Sequence, residues 1–291
     1  MVTLWGALGN VLLSIVKIAA GLVGRSHAVL ADGVHSLSDL ATDLAILIGS
    51  RFWSRPPDLS HPHGHRRIET IISFAIALAL AGVAVGIGWS SIDALKTGTT
   101  EVPETIALYA ALISIVVKEG LYRWTVSTAK RVMSPAMEAN AWHHRSDAIS
   151  SIPAAAAVAG AALSPKFVFL DAVGGIIVSL FILHASWKIL LPVMRELSDE
   201  GAPEGMVEKI GAIVLAIEGV RGVHHIRTRY LGSRLAVDLH LLLDDNLPLV
   251  EAHDIGDRVS MELKKQEPVI IDVITHLEPH HAHREDVSTA W

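Results

Sequence analysis

The sequence contains no cysteine. That absence excludes disulfides, thiolate metal centres and cysteine nucleophiles together. It leaves the compartment open, because a chain without thiols suits any redox poise. An excess of basic charge is also missing. Lys and Arg number 24 against 30 Asp and Glu, a formal net charge of −6, which argues against nucleic acid as a partner. No cleavable leader is evident either. The chain opens in an apolar run over residues 2–23 without a basic n-region or a small-residue cleavage site, so the run reads as a first transmembrane helix.

Histidine, by contrast, is plentiful at 16 residues. Without thiolates, metal chemistry in this chain must use imidazole and carboxylate ligands, which suit zinc and its first-row neighbours. Apolar residues make up 51% of the chain, and their distribution matters more than their number. The first two-thirds holds repeated apolar stretches of roughly 20 residues, the length that crosses a bilayer core. Spans are expected over residues 2–23, 28–53, 71–95, 105–128, 137–163 and 167–191. The fold class is therefore an α-helical membrane protein with a six-helix bundle over 1–195, followed by an α+β domain over 196–291.

Orientation follows from the basic residues of the short loops. Arg51, Arg55, Arg66 and Arg67 follow the second span, and Lys130 and Arg131 follow the fourth. The opposite loops hold Arg25, Lys96 and Lys166. This bias puts both termini and the C-terminal domain in the cytoplasm, with the bundle in the cell's inner or plasma membrane. In the C-terminal part, helical periodicity over 204–217 and 249–265 and alternation over 220–230, 234–243 and 269–277 give the order α-β-β-α-β.

Two spans are unusually polar. The second carries Asp32, His35, Asp39 and Asp43, and the fifth carries His143, His144 and Asp147. An aspartate at the centre of a span costs at least about 2.5–3.5 kcal/mol, so several need a compensating partner. His35 and Asp39 are four apart and share a helix face, and His143 and Asp147 repeat the arrangement. Two such helices face to face present two imidazoles and two carboxylates, a set suited to tetrahedral Zn²⁺. The competing reading has these residues pair with one another or cap kinks. Asp32 and Asp43 read as supporting or pathway residues, and His144 as pointing off the shared face. The polar loop after the second span adds Asp58, His61, His63 and His65, exposed by Pro56, Pro57 and Pro62.

At these residues the chain resembles the cation diffusion facilitator family of metal/proton antiporters. The resemblance rests on both His-x-x-x-Asp pairs, the loop His-Pro-His-Gly-His-Arg-Arg-Ile-Glu and the α-β-β-α-β order. It implies a transport site at His35, Asp39, His143 and Asp147, and a loop zinc site at Asp58, His61 and His65, with His63 as a substitute. It also implies a binuclear zinc site at His224, His240, His253 and His276 with Glu278 in the cytoplasmic domain, which would be ferredoxin- or metallochaperone-like. His225 lies beside the first of these, and His280, His281 and His283 form a short tail. Some relatives hold the membrane dimer with a salt bridge. Arg66 or Arg67 would supply the base here and Glu196 is the nearest acid, since Met194 is not acidic.

The implied function is export of a divalent transition metal, zinc before cadmium, cobalt, nickel, iron or manganese, in exchange for protons. The partners are the metal, protons, the lipid bilayer and a second copy of the chain, with zinc also a structural or regulatory ligand. Two other classes compete. A membrane zinc hydrolase needs an open coordination position, a general base and a substrate cleft; the sequence offers no separate base, so the chain reads as a non-enzyme. A membrane-bound metal sensor would need the cytoplasmic site without transport.

Overall fold

The computed structural model describes residues 2–98, 102–132 and 135–281, excluding the side chains of 2–7, 39, 41–48, 50, 132, 135–137, 139, 140 and 165. The chain divides into two compact units, Met1–Arg51 with Ile72–Leu190, and Phe52–Ile71 with Leu191–Trp291. The polar loop after the second helix therefore groups with the C-terminal sequence, where the sequence reading had made one cut after residue 195.

The first unit is helical. Its elements are α1 (Val2–Val23), α2 (His27–Trp53), most of α3 (Arg67–Thr97), α4 (Thr105–Val132), α5 (Pro135–Ser150), α6 (Ile152–Leu163) and most of α7 (Phe169–Leu197). Among the described residues, four stretches are long and apolar enough to cross a membrane: Arg67–Thr97, Thr105–Arg131, Ala141–Leu163 and Phe169–Leu197. Leu8–Val23 is apolar but shorter. The expected fifth span is formed by α5 and α6, and Ala141–Leu163 runs through both. Pro153 has no N–H for the carbonyl four residues back, so one helical bond is missing at the α5–α6 junction, while Ser151 N–H bonds the Asp147 carbonyl (3.3 Å) and Ala155 N–H that of Ser151 (3.1 Å).

This unit buries polar groups and exposes apolar ones. Lys17, Asp32, Ser36, Lys118, Asp147 and Ser151 are buried, while Leu12, Val85, Trp89, Val116 and Trp187 are exposed. Such inversion suits a hydrocarbon surround, where outward Leu and Val cost nothing and inward polar groups must satisfy one another. The packing is close because the facing residues are small. Ala28, Ala31, Ala107, Ala111, Ala154 and Ala157 belong to one buried cluster. A Cβ at Gly174 would lie 2.5 Å from the Ala157 Cβ and 2.9 Å from that of Ala28, so α7 reaches its neighbours only with glycine there. Across the same packing Asp171 caps α2, accepting from Ser26 Oγ (2.5 Å) and the N–H of His27 (2.7 Å).

The second unit contains α8 (Glu204–Leu215), β1 (Gly222–Leu231), β2 (Arg234–Leu243), α9 (Leu249–Gln266) and β3 (Ile270–Pro279). The α-β-β-α-β order is the one read from the sequence. β2 is central, antiparallel to β1 and parallel to β3. Leu235, Val237, Leu239, Leu241 and Leu243 alternate onto one face, where they pack with Ile210 and Val214 of α8 and Ile255, Val259 and Leu263 of α9. His240 therefore lies on the face opposite this core.

Candidate metal sites

In the helical unit, Asp147 on α5 is buried and meets the Lys118 ammonium of α4 (Oδ2 to Nζ, 3.1 Å). Its other oxygen lies 3.8 Å from Nδ1 of His143, whose side chain is 41% exposed. The adjacent His144 is 2% exposed and on the interior side of the helix, so burial does not follow the expected assignment of His143 inward and His144 aside. His35 on α2 has a buried Nδ1 with no hydrogen-bond partner among the described residues. Asp39 and Asp43 lie on α2, and their side chains fall outside the described residues.

Asp32 is not left unpartnered. Its Oδ2 lies 2.8 Å from Lys17 Nζ of α1, with both side chains fully buried, and its Oδ1 accepts from Ser151 Oγ at 3.0 Å. Lys17 also donates to Ser36 Oγ (3.1 Å) and Ser151 Oγ (2.9 Å). The second helix's Ser36, beside His35, is thereby linked to the fifth helix's Asp147, since Lys118 reaches both (3.2 and 3.1 Å). The reading of the sequence singled out neither Lys17 nor Lys118. The signal was a lysine inside an expected span, which calls for a partner on another helix.

In the second unit, the loop brings Asp58, His61 and His65 together, with one potential ligand atom from each lying within 4.8 Å of the others. Asp58 Oδ1 accepts from the N–H groups of Ser60 (2.9 Å) and His61 (2.7 Å) and from Ser60 Oγ (2.8 Å). The Ser60 hydroxyl and the His61 backbone bond hold the Asp58 carboxyl at about 2, below the usual carboxylate range. His65 Nε2 lies 3.3 Å from Asp58 Oδ2, and the His61 and His65 rings are 4.4 Å apart. His63 lines a neighbouring cavity with Pro56 and Arg66 and is not in this group.

The sheet builds a larger cluster. Register aligns His224 of β1 with His240 of β2, and His240 with His276 of β3, a row of imidazoles across adjacent strands. Glu278 is two residues along β3 and so on the same face. It takes His224 Nε2 at 2.8 Å, His240 Nδ1 at 2.7 Å and His276 Nε2 at 3.5 Å. Desolvation would raise its carboxyl, but the bonds with His224 and His240 prevail and hold it below its ordinary value.

His225 joins them for a backbone reason. Its φ is +48°, and the β1–β2 register shifts between His224 and Arg227. This bulge puts two consecutive side chains on one side of the strand, and it returns Ile226 to the core. The His225 ring thus stands 4.8 Å from that of His224 and 5.0 Å from that of His240. His224, His225 and His240 form one candidate ligand group, and His240, His276 and Glu278 a second. His253 is brought to neither. It sits on the outer side of α9, 71% exposed and 3.6 Å from Asp257. His281 pairs with Asp245 at 2.7 Å, and His283 lies outside the described residues.

Within one chain, the residues named for a dimer bridge have these partners. Arg67 Nη2 lies 3.1 Å from Asp199 Oδ1, while Glu196 Oε1 accepts from Thr70 Oγ1 and the Gly232 N–H, each at 2.6 Å. Asp199 sits at φ +55°, just past the end of α7, a turn that places its carboxylate beyond the helical face on which Glu196 was counted.

Residues 4–198 match the family described as the cation efflux transmembrane domain, and residues 202–280 the cation efflux protein cytoplasmic domain. The chain is 38% identical over 263 residues to an uncharacterised transporter of Methanocaldococcus jannaschii, covering 90% of this chain and 92% of that protein. It is 34% identical over 289 residues to metal tolerance protein C1 of Arabidopsis thaliana, covering 94% of this chain but 61% of the plant protein's length. The manganese efflux system protein MneP of Bacillus subtilis is 32% identical over 284 residues, covering 96% of this chain and 95% of MneP.

Proposed function

We propose, from the premise that the chain belongs to the cation diffusion facilitator family of divalent-metal efflux transporters, that it exports Zn²⁺ from the cytoplasm in exchange for protons. It is an integral membrane protein with a helical membrane-type unit and a C-terminal α/β unit. The observation that carries the reading is Asp147, a carboxylate buried in the apolar bundle beside His143, together with the unpartnered buried Nδ1 of His35. His35, Asp39, His143 and Asp147 form the proposed transport quartet. Two imidazoles and two carboxylates favour zinc over the oxygen-rich coordination that manganese prefers. The identity to a manganese efflux protein supports Mn²⁺ as the second reading.

Binding requires neutral imidazole and ionised carboxylate, so protons and metal compete for the same atoms and a pH gradient can drive exchange. His35 and His143 are the proposed coupling groups, since histidine titrates nearest physiological pH. Both termini face the cytoplasm in this reading. The sheet's imidazole–carboxylate cluster takes cytoplasmic zinc, with His253 left to a partner subunit of a homodimer, and the loop triad Asp58, His61 and His65 takes another ion. The test is uptake of Zn²⁺ and Mn²⁺ into proteoliposomes under an imposed pH gradient. Asp39→Ala and Asp147→Ala are each expected to lower flux by at least about a hundredfold, as loss of a buried charged ligand of some 3 kcal/mol requires. Wild-type flux in both variants refutes the quartet, and faster Mn²⁺ than Zn²⁺ flux moves the substrate to the second reading.

A further inference from the structure

Asp147 already has a cation. The ammonium of Lys118, itself 2% exposed near the middle of α4, lies 3.1 Å from Asp147 Oδ2 and donates to Ser36 Oγ at 3.2 Å. The other base within reach in the sequence does not serve. Arg145 Nη1 donates to Tyr122 Oη at 3.1 Å, and its guanidinium lies over the Tyr122 and Trp142 rings. The second ammonium, Lys17, is paired with Asp32 and donates to Ser36 and Ser151. Two ammoniums and two carboxylates thus form one buried, formally neutral network joined through Ser36 and Ser151.

The two ion pairs have different surroundings. Lys17–Asp32 is wholly enclosed, and Asp32 holds no place in the proposed quartet. Lys118 instead sits on an oxygen of a carboxylate proposed to take the metal. A divalent ion arriving at Asp147 must meet a positive charge already in hydrogen-bond contact with that group, in a site where burial leaves charges poorly screened.

We infer that Lys118 is a tethered counter-cation of the metal site: it neutralises Asp147 while no metal is bound, and the metal displaces it on loading. This inference rests on Asp147 being a transport ligand. Its consequence is that Asp147 is not left a bare carboxylate in the apolar bundle when the metal is absent. The same competition weakens metal binding and favours release. Lysine suits this role because its ammonium is a compact charge on a flexible stem that can withdraw without breaking a fork of paired bonds.

The experiment uses the full chain in detergent for equilibrium titration with Zn²⁺ and Mn²⁺, and in proteoliposomes for flux. The transport-site component is defined as the binding lost in Asp147→Ala. Lys118→Met and Lys118→Gln, the second of which retains an N–H donor for Asp147, are expected to bind the metal at this component at least about tenfold more tightly, the lower range for a close charge pair, while flux falls. Lys118→Arg, which retains the charge, is expected to stay within about threefold of wild type in affinity, since only hydrogen-bond geometry changes. Unchanged or weaker binding in both uncharged variants overturns the inference and leaves Lys118 a structural ion pair. If Asp147→Ala itself loses neither binding nor flux, the transport-site reading is what has failed.

Discussion

In the helical unit the buried carboxylates of Asp32 and Asp147 face lysine ammoniums, whereas in the sheet unit the carboxylate of Glu278 faces imidazoles. The surroundings explain the difference. A carboxylate inside an apolar bundle has no water to turn to, so its charge must be balanced at every stage. Here a lysine ammonium supplies that balance. On an open sheet face water shares the work, and Glu278 needs only hydrogen-bond partners to stay ionised. Those partners can give up their protons and become ligands themselves. One unit therefore has a fixed cation for the metal to displace, and the other has donors that convert directly into ligands.

The most severe way to break this comparison is to remove the lysine that the metal site does not involve. Lys17→Met leaves Asp32 fully buried without its cation, and loss of one partner of a buried pair costs about 3–5 kcal/mol. The full chain in detergent should therefore unfold at a much lower temperature. Lys17→Met combined with Asp32→Asn should recover most of the loss, because no charge is then stranded. Equal unfolding temperatures for the single and double variants would show that Lys17 contributes packing and not charge balance.

The sequence disclosed the residue types of both units and concealed most of their pairings. His35–Asp39 and His143–Asp147 are visible because a helix fixes what stands four residues away. The α-β-β-α-β order is visible because periodicity changes where elements change. Lys118 is different, since its partner is 29 residues off on another helix, and only packing brings them together. The helical bond missing at the α5–α6 junction is readable from Pro153. In β1 the pattern Val223-His224-His225-Ile226 places two polar residues between apolar ones, which is how a bulge looks in sequence, yet it resembles ordinary strand alternation with one error.

That bulge gives the next largest effect. A non-glycine residue in the left-handed region costs about 1 kcal/mol, and here the cost accompanies a third imidazole beside His224 and His240. His225→Gly relieves the strain and removes the donor. Its unfolding temperature should match or exceed wild type, while zinc binding to the sheet cluster, measured on the full chain in an Asp147→Ala background, should weaken by at least about tenfold, as expected for a lost ligand. Unchanged zinc affinity would mean that His225 shapes the strand and touches no metal.

The smallest effect concerns the charge on Glu278. Its carboxyl is held below the ordinary value because the bonds with His224 and His240 outweigh desolvation. A group depressed on folding contributes stability above its unfolded value, about 4.3 for glutamate, and loses that contribution as pH falls through its folded value. The stability difference between wild type and Glu278→Gln, measured without metal, should therefore be fully present at about pH 6 and close as the pH drops below about 4. The lysine pairs of the helical unit differ from this one in their setting, since both are buried away from water. If the Glu278→Gln difference instead persisted undiminished to about pH 3, the imidazole bonds would not depend on carboxylate charge, and the contrast between fixed and convertible partners would fail at the sheet.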